Sequence, residues 1–364
     1  MELWKKLKRG LNRIFPQPVK HREKSWKDFE QTMRHPLRLQ VDMAKYIIRQ
    51  KAKGVKRFPL VMMLEPLHAC NLTCTGCGRI REYEDTIKEV VPVEKCLAAV
   101  KECGAPMVAI CGGEPLLYKE IGKLTRTLLE QKKHVIVCTN GMFISKQIRE
   151  FVPDVRFLWN VHLDGMKKSH DLAVEREGVF DQAVEGIKLA KSKGFRVMTN
   201  TTVYEETDMN EVEALLEYLK GLGVDSHVVS PGYSYSAVHT KEIFLDRRAI
   251  REKFKDIKRL ARKYPIADSP IYLEFLAGSR ELSCTAWGNP TYNTKGWKGP
   301  CYLITDQHHE TFEGLINDTP WQRYGHGRDP RCEDCLVHSG YEASAATASG
   351  FTDTWKLLAW SLFS

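Results

Sequence analysis

The sequence predicts an α/β protein built as an open, partial (β/α)6 barrel, followed by an irregular, cysteine-rich C-terminal region. Three observations carry that prediction. Six short apolar runs recur between residues 60 and 230, amphipathic helical patterns separate most of them, and the periodicity fades after about residue 270, where Gly, Pro, Trp and Cys become frequent.

The runs are LVMMLEPL (60–67), MVAIC (107–111), HVIVC (134–138), FLWNVHL (157–163), FRVMTNTT (195–202) and SHVVS (226–230). Rich in Val, Ile and Met and unbroken by polar alternation, they read as strands buried on both faces of a parallel sheet. The helical patterns VEKCLAAVKEC (93–103), KEIGKLTRTLLEQ (119–131) and FDQAVEGIKLAKSKG (180–194) supply crossovers. Six units are too few to close an eight-fold barrel but enough for an open one, with functional residues expected at the carboxyl ends of the strands. The predicted organisation is a helical extension at 1–57, the six-unit core at 58–265 and the accessory region at 266–364, whose last stretch, TDTWKLLAWSLF (352–363), is again amphipathic or largely apolar.

With 364 residues, 43% of them hydrophobic, the chain can bury a large core, which excludes a disordered or fibrous protein. A net charge of +9 favours anionic surfaces, nucleic acid and phospholipid headgroups alike. Eleven cysteines, several in CxxxCxxC and CxxC clusters, follow no apolar signal segment. Metal ligation in a reducing, cytoplasmic compartment is therefore expected, in place of disulfides. No run approaches the ~20 apolar residues of a membrane-spanning helix. Residues 1–15 do form an amphipathic pattern: Leu3, Trp4, Leu7, Leu11, Ile14 and Phe15 oppose Lys5, Lys6, Lys8, Arg9 and Arg13, and Pro16 ends it. This suits a helix lying on a membrane, peripheral on the inner face of the cell membrane, or an ordinary helix packed on the barrel. A second helical pattern at 36–53 keeps Leu37, Val41, Ala44, Ile47 and Ile48 in register.

Directly after the first strand, ACNLTCTGCG places Cys70, Cys74 and Cys77 within eight residues. Three such thiolates can each hold a different iron of one cubane cluster and leave a fourth iron open for a small molecule. The plainer reading is zinc completed by a distant fourth ligand, although zinc knots more often use paired CxxC knuckles. Gly112, Gly113, Glu114 and Pro115 make a turn that ends the second strand. Its glycines permit close backbone approach, and Glu114 offers a negative acceptor for an ammonium group. Later strands end in polar residues: His162 and Asp164, then Asn200 and Thr202, then Ser230. Buried strands tolerate such groups only with partners, structural or ligand.

The CxxxCxxC loop, the GGEP turn and the six βα units resemble the radical S-adenosylmethionine superfamily over residues 58–235. The resemblance implies a [4Fe–4S] cluster on Cys70, Cys74 and Cys77. It also implies that S-adenosylmethionine is held by Gly112, Gly113, Glu114, Pro115, Asn140, His162, Asp164, Asn200, Thr202 and Ser230, and that a flavodoxin or ferredoxin donates electrons. Within that superfamily the chain is most similar to the adenosylhopane synthases of hopanoid biosynthesis. The similarity rests on FPLVMMLEPL, VCTNGM (137–142), VHLDG, HD (170–171), REGVFDQAVEGIK, RVMTNTT, SPGYSY, CTAWGNP, PCYL and RCEDCLVHSGYEA. The chain departs from that family at Ser339, where the family has cysteine, and in the residues after SPGYSY. The resemblance implies addition of the 5′-deoxyadenosyl radical to the terminal alkene of diploptene, an apolar triterpene.

Cys138 closes the third strand, just before Thr139-Asn140-Gly141. Addition to an alkene leaves a carbon radical, and a thiol S–H is weaker than a tertiary C–H, so hydrogen transfer from Cys138 runs downhill. The family resemblance points to the same cysteine. The alternative is a small buried core cysteine. Cys111 is the next candidate, and Cys96 and Cys103 read as helix packing. Cys284, Cys301, Cys332 and Cys335 form a candidate second metal site, for zinc or a further iron–sulfur cluster, or stay as reduced thiols. Two other functions compete: radical hydrogen abstraction from another lipid or a peptide, and a zinc protein binding nucleic acid. The second needs a basic stripe interleaved with aromatics, whereas the basic residues concentrate in the first helix and on helix exteriors, so nucleic acid is not an expected partner.

Overall fold

The computed structural model describes residues 35–348 and 351–362, so the amphipathic segment 1–15 lies outside the described residues. The six predicted strands are present as β1 (Val61–Leu64), β2 (Met107–Ile110), β3 (His134–Thr139), β4 (Phe157–His162), β5 (Arg196–Val203) and β6 (Ser226–Pro231). They pair in parallel, in chain order, from β1 to β6. Parallel neighbours need crossovers, and helices Val93–Cys103, Ile121–Glu130, Val179–Ser192 and Met209–Gly221 supply them. Local chemistry sets their ends. Pro92 precedes the first, which stops at left-handed Gly104 (φ 70°). Asp208 caps the last by accepting from the Asn210 amide.

Alternation along the strands divides their side chains between two environments. Val108, Ile110, Val135, Val137, Trp159, Val161 and Val197 join Cys96, Val100, Leu124, Leu128, Ala183, Ile187, Leu215 and Leu219 in the main core between sheet and helices. Cys96 and Cys103 are packing residues there. The intervening residues, Ala109, Cys111, Ile136, Cys138, Leu158, Asn160, His162, Asn200 and Ser230, face the inside of the open barrel. Its lower tier is apolar on β1 to β4 (Met63, Ala109, Ile136, Leu158), with Arg196 of β5 beside Leu158, and its upper tier, toward the strand ends, is mostly polar.

The C-terminal region is more regular than the sequence suggests. Three strands, β7 (Thr291–Asn293), β8 (Gly296–Pro300) and β9 (Thr305–His309), extend the sheet beyond β1. β7 runs parallel to β1, with Met63 opposite Thr291, and β8 and β9 return antiparallel. Their sequences, TYN, GWKGP and TDQHH, lack apolar periodicity, because they pair through backbone groups and bury polar residues, Lys298 among them. A second core gathers Ile250, Phe254, Ile257, Leu260, Tyr272, Phe275, Leu336 and Tyr341 and so runs across the expected boundary at 265/266. Beyond β6, Ile266 bridges to His227 and covers that edge. The helix expected at 36–53 spans Leu37–Ala52, and helix Phe351–Leu362 ends the described chain.

Candidate functional site at the carboxyl ends of the strands

The loop from Glu65 to Gly78 carries the three cysteines and is shaped by contacts rather than by secondary structure. Cys70, Cys74 and Cys77 are each half-buried. The Cys77 amide donates to the Cys74 carbonyl at 3.0 Å, and the Leu72 amide donates to Cys70 Sγ at 3.4 Å. Arg81 donates to the carbonyls of Cys77 (2.5 Å) and Cys74 (3.1 Å). Thr73 and Thr75 donate to Glu175 at 3.0 and 3.1 Å. At Gly76 and Gly78 the rings of Tyr204 and Tyr235 occupy the space a Cβ would need. Burial pushes the Cys70 thiol up to about 12, with Glu114 and Cys77 adding to the effect, and Cys74 rises further, by burial and its neighbours Cys77 and Cys70. Binding to iron removes that cost, because the metal takes the thiolate's charge. Among the described residues no three His, Cys, Asp or Glu side chains gather as one metal ion requires.

Behind this loop lies an ionic network that the sequence did not reveal. Arg79, 3% exposed, pairs with fully buried Glu65 at 2.8 Å and with Glu82 at 2.9 Å. Lys298 of β8, fully buried, pairs with Glu82 at 3.2 Å and donates to the Tyr302 carbonyl at 3.0 Å. Burial would raise Glu65, but Arg79, His68 and Lys298 outweigh it and hold its carboxyl at about 2. Burial brings Lys298 down to about 8.

The GGEP turn packs directly on the loop. Gly112 has a φ of 109°, and a side chain on Gly113 would strike the His68 and Ala69 carbonyls. Glu114, 1% exposed, uses both carboxylate oxygens internally: it accepts from the Leu116 amide (2.9 Å), Thr139 Oγ1 (2.7 Å) and the Asn140 amide (2.9 Å). The carboxylate therefore braces the turn on the end of β3, and the Gly112 and Gly113 carbonyls carry none of the described hydrogen bonds. Pro115 starts a short 3₁₀ turn. Asn140 is likewise committed, its Nδ2 donating to Asn71 Oδ1 at 2.9 Å and its Oδ1 accepting from the Met142 amide.

The other expected residues meet at the ends of β4, β5 and β6. His162 contacts Asp164 Oδ1 at 2.6 Å, and the same oxygen accepts from the Thr202 amide at 2.7 Å. Burial opposes charge on this pair. Mutual attraction wins, raising His162 and lowering Asp164. Asn200 stands opposite His162, and Thr202 opposite Ser230. Ser230 Oγ lies 3.2 Å from His338 Nδ1. Cys138 is half-buried, opposite Asn160, whose amide donates to its sulfur at 3.6 Å. Burial pushes its thiol up to about 11, with Glu114 adding to the effect and Asn160 opposing it. Tyr204 and Tyr235 were missed by sequence reasoning, although the glycines at 76 and 78 signal close packing on the loop.

Cys284, Cys301, Cys332 and Cys335, far apart in sequence, line one cavity with Tyr233, Ile304 and Ser339. Burial raises Cys284 well above the usual thiol range, and Cys335, Cys301 and Cys332 add to it. Tyr233 borders these thiols and packs 5.1 Å, ring to ring, from Tyr235 beside Cys77.

The chain is similar to known proteins in sequence and in fold. Residues 64–219 match the Radical SAM superfamily, and residues 227–358 match a domain of unknown function (DUF3463). The chain is similar to GTP 3′,8-cyclase of Nautilia profundicola, 21% identical over 66% of this chain and 79% of the relative. It is also similar to Fe-coproporphyrin III synthase of Methanosarcina barkeri, 24% identical over 74% of this chain and 80% of the relative. In fold it resembles SuiB of Streptococcus suis, solved with S-adenosylmethionine (TM-score 0.62, 17% identity, 92% of this chain and 81% of that one). It resembles anSMEcpe with bound AdoMet as well (TM-score 0.53, 18% identity, 82% and 98%).

One prediction follows from Glu114. Burial raises its carboxyl to about 7 against the three donors that oppose the shift. A cation bound beside the turn favours the ionised form, so binding expels a proton at pH 6 and none at pH 8. S-adenosylmethionine affinity should rise across that interval and then level off, as calorimetry in buffers of different ionisation enthalpy would show. Affinity independent of pH, with no proton release, would refute this.

Proposed function

From the premise that residues 64–219 belong to the radical S-adenosylmethionine superfamily, whose cofactors are a [4Fe–4S] cluster and S-adenosylmethionine, we propose that this enzyme adds the 5′-deoxyadenosyl radical to the alkene of an apolar triterpene, converting diploptene to adenosylhopane. When bound, the cofactors supply that radical. Cys70, Cys74 and Cys77 hold the cluster. The Gly112 and Gly113 carbonyls receive the methionine ammonium, with Glu114 and Pro115 fixing the turn and Asn140 tying it to the loop. His162, Asp164, Asn200, Thr202 and Ser230 hold the rest of the cofactor at the strand ends. A flavodoxin or ferredoxin supplies electrons.

The observation that carries the reading is the place of Cys138. It faces the barrel interior at the step between the polar upper tier and the apolar lower tier. Asn160 donates to its sulfur, which leaves the S–H free to point elsewhere. A thiol raised to about 11 stays protonated at neutral pH, as a hydrogen-atom donor must. A lower tier of Met63, Ala109, Ile136 and Leu158 suits a hydrocarbon skeleton better than a polar substrate.

The four C-terminal thiols are read as a second metal site. Their shared cavity supports a metal site, zinc or a second cluster, and the test below takes the second cluster as its case. A membrane-surface location is supported by helix Leu37–Ala52, where Leu37, Val41 and Ile48 are 42%, 38% and 68% exposed among Arg38, Lys45, Arg49 and Lys51. Among the described residues no helix is long and apolar enough to cross a membrane.

Four outcomes are expected. Anaerobic incubation with diploptene should give an adenosylated product by mass spectrometry. Cys138→Ala should still form the carbon–carbon bond but end in altered stereochemistry or a desaturated product. Release of free 5′-deoxyadenosine as the main product would instead mean hydrogen abstraction. Metal analysis after anaerobic reconstitution should show that iron about halves when Cys332 and Cys335 become Ala, and also when Cys70, Cys74 and Cys77 do, as two four-iron clusters require. Stoichiometric zinc in either variant would overturn the assignment of the remaining site. Anionic vesicles should float the full chain, and removal of residues 1–15 should weaken that binding in a salt-sensitive way. Equal flotation of both forms would assign those residues a structural role.

A further inference from the structure

If Cys138 gives up a hydrogen atom, a thiyl radical remains on its sulfur and must be discharged before the next turnover. The neighbouring strand supplies a partner. Ile110 of β2 and Val137 of β3 form the last pair of the parallel ladder, Cys111 and Cys138 follow them directly in the chain, and Cys138 is near enough to weigh on the Cys111 thiol. Adjacent strands lie about 4.8 Å apart, inside the Cα separation of roughly 4.4–6.8 Å that a disulfide accepts but slightly wider than its Cβ separation of about 3.5–4.5 Å, so closing the bond draws the two strand ends together. Both residues belong to the inward-facing set, since the outward neighbours Ile110 and Val137 pack in the main core and these two do not. Cys111 is 5% exposed, and none of the described hydrogen bonds uses its sulfur. Burial, then Glu65 and Cys138, raise its thiol well above the usual range, so it too is S–H at neutral pH.

We propose that Cys111 and Cys138 form a redox pair that discharges the thiyl radical, a proposal that rests on the radical-addition reading. The Cys138 thiyl and the Cys111 thiol combine: an S–S bond forms, the Cys111 S–H bond breaks, its proton leaves to solvent, and one electron is released. The disulfide radical anion is the species that gives up this electron, and the acceptor is the oxidised iron–sulfur centre. That returns the electron first spent on cleaving the sulfonium. The disulfide is then reopened by a dithiol reductant, which is oxidised to its own disulfide as both cysteines regain their protons. In sum, sulfonium, alkene and dithiol become methionine, adduct, oxidised dithiol and a proton. The electron is catalytic. Cys138, half-exposed to the interior, is the sulfur a small dithiol reaches first.

The test uses reconstituted holoenzyme with S-adenosylmethionine, the triterpene alkene and a one-electron donor, with and without a dithiol. Without dithiol the wild type should make a single turnover and stop. Differential alkylation and peptide mass spectrometry should then find Cys111–Cys138 disulfide in proportion to product. Adding dithiol should restore turnover. In Cys111→Ser and Cys111→Ala the disulfide is absent, and donor electrons consumed per product rise from near none to about two, because each thiyl must be reduced from outside. The paramagnetic signal of the cluster in both variants shows whether the fold is intact. Adenosylated product without the disulfide, with wild type and variants consuming equal electrons, overturns the pair and leaves the addition reaction standing. No adenosylated product from the wild type overturns the addition reading itself, and the pair with it.

Discussion

Three thiols must be held at the mouth of the sheet by a loop with no helix or strand to hold them. The loop is therefore shaped by buried polar contacts. The ladder from Glu65 through Arg79 and Glu82 to Lys298 is the central one, since it ties the end of β1 to β8 across more than two hundred residues of chain. Removing one partner from a buried ion pair costs about 3–5 kcal/mol, so each charge there depends on the other three. Such a network adds little net stability over a hydrophobic substitute. What it provides here is a fixed position for the backbone between Cys70 and Cys77.

That constraint explains why the C-terminal region belongs to the same sheet. β7 pairs with β1, the strand that delivers the loop, and β8 carries Lys298 under it. The segment that follows β8 begins with Cys301, so the strand that steadies the first thiol set also positions a member of the second. Tyr233 and Tyr235, in the stretch after β6, touch both. Loss of the sheet extension would therefore disturb both thiol sets together.

The barrel interior divides by height. Toward the strand ends, His162, Asp164, Asn200, Thr202 and Ser230 form a polar rim. Below it, the inward side chains of β1 to β4 are apolar, and Cys111 and Cys138 sit at the step between. The division follows from one-residue alternation along each strand together with a register that aligns the same tier across β2, β3 and β4. A single-residue slip would turn Cys138 outward into the main core and bring Val137 inside.

The sequence by itself determined the six βα units, because the strands are short, mainly apolar runs and the helices between them keep their own period. It also determined the CxxxCxxC loop, whose cysteines lie within eight residues, and the glycine turn. It did not disclose β7 to β9, whose polar residues are stabilised by pairing with strands distant in the chain. Nor did it show that Glu114 and Asn140 are occupied in bracing the site, because their partners come from other loops. Only the tertiary structure brought Cys284, Cys301, Cys332 and Cys335 to one cavity and set Cys111 beside Cys138. Sequence patterns record the environment of a residue within its own element, and contacts between elements depend on register and crossover, which only the folded chain fixes.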